Sequence, residues 1–184
     1  MATGFAGSTT PVELRNGWRT PRFLYNAYDR IYKFTGDVAA SAENALHPRF
    51  LTLEDNAPER LWGDFGGYVW CNPPYDNIYP WVYGAEQSST MGTGTVMIVP
   101  SDQANGWFEA ALESVHDIDW ITGTRVGFLH PETGKVNTEN MRGSVVFIWH
   151  PNQKQTDIIT RYISYSVIAK QELLQRKLYE HRYL

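Results

Sequence analysis

A chain of 184 residues is long enough to bury a core as one domain, so folding requires neither disulfide bonds nor a structural metal. The single cysteine excludes an intramolecular disulfide and a multi-cysteine zinc site, and five scattered histidines without ligand spacing predict no metal. No apolar run of about 18 residues and no secretory signal pattern is found, which predicts a cytoplasmic protein without a membrane span.

Charge is distributed unevenly along the chain. The net charge of −4 argues against a protein that coats nucleic acids. Residues 1–120 contain 7 basic and 15 acidic residues, whereas residues 121–184 contain 9 basic and 5 acidic residues. If the chain binds DNA, we therefore expect the phosphates to lie mainly against its C-terminal third. A chance imbalance is the alternative.

The predicted elements alternate between helices and strands. In chain order, the periodicity predicts a helix over 21–32, strands over 33–38, 49–53 and 68–71, a helix over 79–88, a strand over 95–99, a helix over 105–115, strands over 118–121, 126–129 and 144–149, and a helix over 157–183. Thr20 is the expected N-cap of the first helix, with Pro21 in its first turn. This order indicates the α/β class, with a mostly parallel sheet and an antiparallel pair at one edge.

Two candidate functional residues follow predicted strands directly. Asp37 lies at the end of the strand over 33–38, and Asn72 follows the strand over 68–71. In open α/β sheets, ligands bind at the carboxyl ends of the strands. The sequence therefore predicts that Asp37 and Asn72 lie at one rim of the sheet.

The segment Asn72-Pro73-Pro74-Tyr75 carries the strongest chemical signal. Two consecutive prolines remove two N–H donors and stiffen the turn, which leaves carbonyl acceptors beside the Asn72 amide. An exocyclic amino group offers two N–H donors that match such acceptors. The flat ring of Tyr75 can stack on a base drawn out of a duplex. Acceptors outside the ring plane make the amino nitrogen more tetrahedral, so that it can attack a methyl group in line. A proline-rich turn without chemistry is the alternative.

The chain resembles the small phage-type Dam-like DNA N6-adenine methyltransferases from about Trp18 to Pro151. The matching segments, in order, are Trp18-Arg19-Thr20-Pro21, Phe34 to Ser41 with Asn44, Val69 to Tyr75 followed by Pro80-Trp81, Val96 to Pro100, Gly123 to Phe128, and Gly143 to Val146. The resemblance implies a Rossmann-like S-adenosylmethionine-dependent methyltransferase fold, methyl transfer to adenine in double-stranded DNA, and a role in protecting a phage genome from host restriction.

The resemblance also implies site residues. Asn72, Pro73, Pro74 and Tyr75 would be catalytic. The residues implied to bind S-adenosylmethionine are Trp18, Thr20, Asp37, Ala39, Ser41, Asn44 and Asp55. One departure is that Asp37-Val38-Ala39-Ala40-Ser41 stands where broader methyltransferases have a glycine-rich loop, although its small residues still admit a ligand. Asp37 could instead cap a helix, and Trp18 and Asp55 could be a core and a loop residue.

Reading of the DNA sequence is expected from short loops, because the chain has no insertion large enough for a separate recognition domain. Arg125, Lys135 and Arg142 flank the polar connection over 130–143 and are candidate contacts to phosphates or base edges. Solvated surface cations are the alternative. We expect residues 1–17 to form a flexible arm, 18–151 the methyltransferase domain, and 152–184 a helical extension packed on the same domain.

Two further functions fit the same residues. The first is methylation of another planar amino group, in RNA adenine or protein glutamine. The second is a non-catalytic protein that keeps the fold to bind nucleic acid or to block a host enzyme, which the acidic composition favours. The sequence does not indicate the oligomeric state or the recognised DNA sequence.

Overall fold

The computed structural model describes residues 17–137 and 142–183, and the predicted arm lies almost entirely outside this part. Six described strands form one sheet: β1 (Phe34–Asp37), β2 (Gly67–Cys71), β3 (Thr93–Pro100), β4 (Asp117–Thr122), β5 (Ser144–Trp149) and β6 (Ile159–Ser164). Their spatial order is β1-β2-β3-β5-β4-β6. The pairs β1–β2, β2–β3 and β4–β6 are parallel, and β5 is antiparallel to both of its neighbours.

This arrangement confirms the predicted α/β class with a mostly parallel sheet. The predicted position of the antiparallel pair at one edge is wrong, because β5 lies inside the sheet between β3 and β4 and the edge strand β6 is parallel to β4. Every residue of β3 and β5 is buried, which explains why both read as continuous apolar runs rather than alternating patterns.

Helices cover both faces of the sheet. They are α1 (Arg22–Tyr32), α2 (Tyr79–Thr90), α3 (Gly106–Leu112) and α4 (Tyr165–Tyr183), with a short 3-10 turn over Gly63–Phe65. The core on one face includes Trp81 of α2 and Phe108 of α3. The core on the other face includes Leu24 of α1 and Ile168 of α4. Two apolar faces of one sheet therefore each have a helical cover, which is the layer solution expected for a parallel sheet.

The predicted helix over 157–183 is wrong at its beginning. Residues Ile159–Ser164 form β6, which pairs with β4 from Ile159 opposite Asp117 to Ser164 opposite Thr122. The isoleucines of this segment also fit a strand, because branched side chains suit a pleated surface. A distant pairing partner, invisible to a local periodicity, decided between the two readings.

Two predicted strands shrink to isolated bridges. Of the predicted strand over 49–53, Phe50 alone bridges to Asp37. Of the strand over 126–129, Leu129 alone pairs, with Arg19 on one side and Val136 on the other. The prediction of Thr20 as N-cap is also wrong, because α1 has Pro21 at its N-cap position and no side-chain capping hydrogen bond.

None of the helices in the described part of the chain is long and apolar enough to span a membrane.

Candidate active site

A cleft opens where the parallel strands β1 and β2 end side by side. Asp37 lies opposite Trp70 in the register, so the turns that follow both strands meet at one edge of the sheet. The cleft is lined by residues from three segments that are far apart in sequence, together with one residue of α2: Gly17, Trp18, Arg19, Thr20, Asp37, Ala39, Ala40, Ser41, Asn44, Leu46, Leu53, Trp70, Asn72, Pro74 and Trp81. The predicted meeting of Asp37 and Asn72 at one rim is confirmed.

The Asn72 side-chain amide is held at both ends. Its Nδ2 donates a hydrogen bond to the main-chain carbonyl of Trp18 at 3.0 Å. Its Oδ1 accepts a hydrogen bond from the Tyr75 hydroxyl at 3.1 Å. The orientation of the amide follows from these partners, since a carbonyl oxygen can only accept and a neutral hydroxyl can donate.

Tyr75 is enclosed beside Asn72. Its ring meets the ring of Phe128 edge-on, with centroids 6.2 Å apart and planes at 82°. Burial raises the pKa of the Tyr75 phenol far above its ordinary value, so the hydroxyl remains a proton donor at neutral pH. Neither Tyr75 nor Pro73 lines the cleft in this structure, whereas Asn72 and Pro74 do.

Asp37 is a buried carboxylate at the floor of the cleft. Asp37 is only 3% exposed, and burial raises the pKa of its carboxyl group to about 6. Its Oδ2 accepts the Leu46 N–H at 3.0 Å, and its Oδ1 accepts the Ala39 N–H at 3.3 Å. Asp37 therefore holds the following loop as well as lining the cleft, and each oxygen has a lone pair left for a ligand.

The loop from Ala39 to Asn44 is held by hydrogen bonds between its own residues. Asn44 Oδ1 accepts the Ser41 N–H at 2.7 Å, and the Ser41 hydroxyl donates to Glu43 at 2.6 Å. Ala39, Ser41 and Asn44 all line the cleft, as the resemblance implied. The small side chains leave the loop backbone close to the cleft without a glycine-rich sequence.

Three buried hydrogen-bond donors without partners belong to residues that line the cleft. Among the described residues, these donors are Arg19 Nε, Thr20 Oγ1 and Trp70 Nε1, and all three residues line the cleft. A buried donor without an acceptor is costly, so native structures keep such groups where a ligand or water completes them.

Sequence reasoning missed Arg19 and Trp70 as members of this set. Arg19 lies between two residues that the resemblance had singled out. Trp70 precedes Asn72 by two positions, and residues two apart on a strand share a face. The alternation along β2 could therefore have placed Trp70 beside the Asn72-Pro73-Pro74-Tyr75 turn.

Asp55 does not line the cleft, although Leu53 from the same segment does. The Asp55 carboxylate accepts hydrogen bonds from the Thr52 N–H and hydroxyl, both at 2.9 Å, in an exposed turn. These bonds lower the pKa of Asp55. A contact of Asp55 with the methyl donor stays a prediction.

The three candidate DNA contacts lie outside the cleft, and all are exposed. Arg125 follows β4 and Arg142 precedes β5, at the sheet edge that also carries Asn72. Arg142 forms an ion pair with Asp102 at 3.4 Å, in the loop after β3. The Lys135 carbonyl accepts the His130 N–H at 2.8 Å, and the His130 ring meets the Trp18 ring edge-on with centroids 5.3 Å apart. Lys135 is thereby linked to the mouth of the cleft.

Within the described ranges, no group of three or more histidine, cysteine, aspartate or glutamate residues could hold a metal ion. The fold, the rim cleft and the Asn-Pro-Pro-Tyr turn after a central strand together define the class of Rossmann-like methyltransferases that modify planar amino groups.

Comparison with known proteins makes the class specific. A family model described as DNA N-6-adenine-methyltransferase (Dam) matches residues 7–178. A protein of Escherichia phage T1 named DNA N-6-adenine-methyltransferase is 31% identical over 180 residues, covering 90% of this chain and 75% of that protein. A protein of Haemophilus phage HP1 with the same name is 28% identical over 171 residues, covering 91% and 98%. The chain belongs to the Dam family of adenine-specific DNA methyltransferases.

Proposed function

We propose that this protein transfers a methyl group from S-adenosylmethionine to the exocyclic amino group of an adenine that has been drawn out of a DNA duplex. The single observation that carries the proposal is the Asn72 amide, whose nitrogen is engaged by the Trp18 carbonyl and whose oxygen faces Tyr75 at the rim of the cleft. An acceptor with a set orientation, next to an aromatic ring, is what an adenine amino group requires.

The residues of the chain have separate tasks in this reaction. Asn72 Oδ1 accepts one N–H of the target amino group, which favours a tetrahedral nitrogen with an available lone pair. The Tyr75 ring supplies a face on which the extruded base stacks. The Asn72–Tyr75 hydrogen bond at 3.1 Å leaves a second lone pair on Oδ1, so the amino group can join the hydroxyl there. When bound, S-adenosylmethionine would supply a sulfonium-activated methyl group, whose C–S bond breaks as the N–C bond forms, so that S-adenosylhomocysteine leaves as a neutral thioether. The methylated nitrogen then loses one proton to solvent. No metal or covalent enzyme intermediate is required.

The cleft fits such a methyl donor chemically. The donor carries a carboxylate, ribose hydroxyls and ring nitrogens that accept hydrogen bonds, and the cleft offers the unpartnered donors Arg19 Nε, Thr20 Oγ1 and Trp70 Nε1. The methyl donor also carries an ammonium group and hydroxyl groups, which can donate hydrogen bonds to the carboxylate of the cleft residue Asp37. We propose that Trp18, Ala39, Ser41 and Asn44 complete this pocket.

DNA would approach across the edge that carries Asn72, Arg125 and Arg142. Arg125 and Arg142 belong to the C-terminal third of the chain, residues 121–184, which carries a net positive charge, whereas the upstream part is acidic. Lys135 would reach the duplex from the hairpin that ends beside Trp18. Phosphate contacts of this kind position a duplex without reading its sequence. The phage origin of both relatives favours action in the cytoplasm of a host cell.

The test is transfer of labelled methyl from S-adenosylmethionine to unmethylated duplex DNA, followed by nucleoside analysis. The expected product is N6-methyladenine, and Asn72→Ala should lower the transfer rate by a factor of about 10² or more, as loss of one aimed polar group does elsewhere. Asn26→Ala, the same substitution on α1 away from the cleft, should retain the wild-type rate.

Other outcomes would redirect the assignment. Donor binding without incorporation into DNA, but with incorporation into RNA or protein, would move the substrate to another planar amino group. Absence of donor binding in calorimetry would contradict catalysis altogether.

A further inference from the structure

The orientation of the catalytic amide depends on a segment that sequence reasoning did not connect with it. Because Nδ2 of Asn72 is a hydrogen-bond donor, only an acceptor can hold it. That acceptor is the main-chain carbonyl of Trp18, at 3.0 Å. A side-chain amide that loses this partner can rotate by 180° about its last torsion and exchange oxygen for nitrogen. The rotated amide would present a donor to the target amino group, which is itself a donor.

The Trp18 carbonyl is held by a short antiparallel ladder. The next residue, Arg19, donates its N–H to the Leu129 carbonyl at 3.0 Å and accepts the Leu129 N–H at 2.9 Å. The Trp18 ring rests edge-on against His130. This backbone pairing gives Trp18 a defined position although residues 17–20 belong to no regular strand or helix.

The same distant segment supports the other catalytic side chain. Phe128 meets Tyr75 edge-on and is only 5% exposed. The Phe128 carbonyl accepts the Asn137 N–H at 2.7 Å, so the segment is itself paired as a hairpin. Residues 128–130 therefore contact both the turn that bears Tyr75 and the segment over 17–20 whose Trp18 carbonyl holds Asn72. We call residues 128–130 the brace.

We propose that the Trp18 main-chain carbonyl, held by the brace, orients the Asn72 amide so that its oxygen faces the target amino group, and that this contact makes the site specific for asparagine over aspartate at position 72. The inference deepens the proposed function and rests on it. Trp18, Phe128 and Leu129 are positioning residues, since each acts through Asn72 or Tyr75.

An aspartate at position 72 gives the proposal a distinctive signature. One carboxylate oxygen would face the Trp18 carbonyl oxygen, and two acceptors repel each other. Protonation of that oxygen restores a donor toward Trp18 and leaves the other oxygen as an acceptor for the amino group. Without the Trp18 contact, the ionised carboxylate would be the better acceptor, and activity would fall on acidification.

Other titrating groups face the same cleft and must be separated from position 72. Asp37 has a pKa raised by burial to about 6, and the Arg19 side chain also lines the cleft. Burial raises the pKa values of the Cys71 thiol and the Tyr75 phenol, which keeps both neutral over the pH range of interest. All of these groups are also present in the wild type, so the variant-to-wild-type rate ratio isolates position 72.

The experiment measures single-turnover methyl transfer to one duplex by the wild type, Asn72→Asp and Asn72→Ala, with saturating donor and DNA. The pH is varied between about 5.5 and 8, because the titration of one proton changes a rate by up to tenfold per pH unit and is therefore visible over this range. We expect the Asn72→Asp ratio to be lowest at pH 8 and to rise about tenfold or more toward pH 5.5. The Asn72→Ala ratio should stay flat. An Asn72→Asp ratio that is flat, or that falls on acidification, would overturn the proposal. An inactive wild type would instead contradict the proposed function.

A second measurement does not depend on the variant folding. In the wild type labelled with ¹³C and ¹⁵N, the side-chain NH₂ signals of Asn72 are assigned by triple-resonance spectroscopy. The proton held by Trp18 should exchange with water about tenfold or more slowly than the exposed Asn77 pair, because exchange requires the hydrogen bond to open. Equal exchange at the two residues would show that no such contact persists in solution.

Discussion

Buried polar groups at the two ends of the sheet differ in whether they have hydrogen-bond partners. At the carboxyl end, Thr20 Oγ1 and Trp70 Nε1 have no partner within the described part of the chain. Near the amino-terminal ends of β4 and β6, the Arg161 guanidinium donates to Asp119 at 2.6 Å and to Asp117 at 2.8 Å. Paired groups hold elements together, whereas unpaired donors around a cleft await a ligand.

The paired network extends well beyond one ion pair. The Tyr28 hydroxyl of α1 donates to Asp119 at 3.1 Å, and His150 Nε2 lies 3.2 Å from Asp117. The Tyr68 hydroxyl lies 2.8 Å from His150 Nδ1. Through these contacts the network joins α1, β2, β4 and β6 and the end of β5. The network links a helix and several strands to each other, as expected of a stabilising network, and no cleft-lining residue belongs to it.

The largest expected effect comes from removing Arg161 from the network of paired polar groups. Arg161→Ala leaves the buried Asp117 and Asp119 without the guanidinium, so the free energy of unfolding should fall by about 3 kcal/mol, the lower end for a buried pair, because the Arg161 side chain is 37% exposed. Chemical denaturation measures this change. Arg60→Ala, which removes an exposed pair with Asp64, should change stability by less than about 1 kcal/mol. Similar losses for the two variants would mean that the buried network is not structural.

A pH-dependent effect should appear at the cleft. Burial raises the pKa of Asp37 to about 6, so the ionised form is disfavoured in the free protein below that pH. If the donor's ammonium or hydroxyl groups bind the carboxylate, donor affinity should rise about tenfold from pH 5 to pH 7. Calorimetry on the wild type and on Asp37→Asn measures this slope. Parallel slopes for the two proteins would remove Asp37 from the donor site.

The same group has the opposite effect on stability. A carboxyl whose pKa is raised on folding contributes stability at pH values below its unfolded-state pKa, and this contribution is lost as the pH rises through about 6. The stability difference between wild type and Asp37→Asn should therefore shift against the wild type from pH 4 to pH 7. Ligand-free thermal unfolding at several pH values tests this sign.

The smallest expected effect compares two buried threonines by one substitution. Thr20→Val removes a hydroxyl without a partner, so stability should be unchanged or up to about 1 kcal/mol higher, while donor affinity falls several-fold. Thr95→Val removes the acceptor of the Trp62 indole N–H at 3.0 Å, so stability should fall by about 1–3 kcal/mol with donor affinity unchanged. Destabilisation by Thr20→Val would show that its hydroxyl has a structural partner in solution.

The meeting of Asp37 and Asn72 at the cleft was predictable, because both residues lie at the carboxyl ends of predicted strands. Asp37 ends a predicted strand and Asn72 follows the apolar run over 68–71, and strand ends that are adjacent in a parallel sheet share an edge. The brace at residues 128–130 was not predictable in the same way. Its Phe128 and Leu129 lie in a predicted strand, but they contact Tyr75 and Arg19, which are more than 50 and 100 residues away in sequence.

The sequence by itself determined the α/β class, the stiff Asn72-Pro73-Pro74-Tyr75 turn and the polar character of the rim, because these depend on local periodicity and on backbone restrictions. Tertiary structure decided that Ile159–Ser164 is a strand, that Thr20 is a cleft residue rather than a helix cap, and which way the Asn72 amide points. Each of these outcomes rests on a hydrogen-bond partner, or on its absence, far along the chain. Such partners are specified by the packing of the whole sheet, which no local pattern contains.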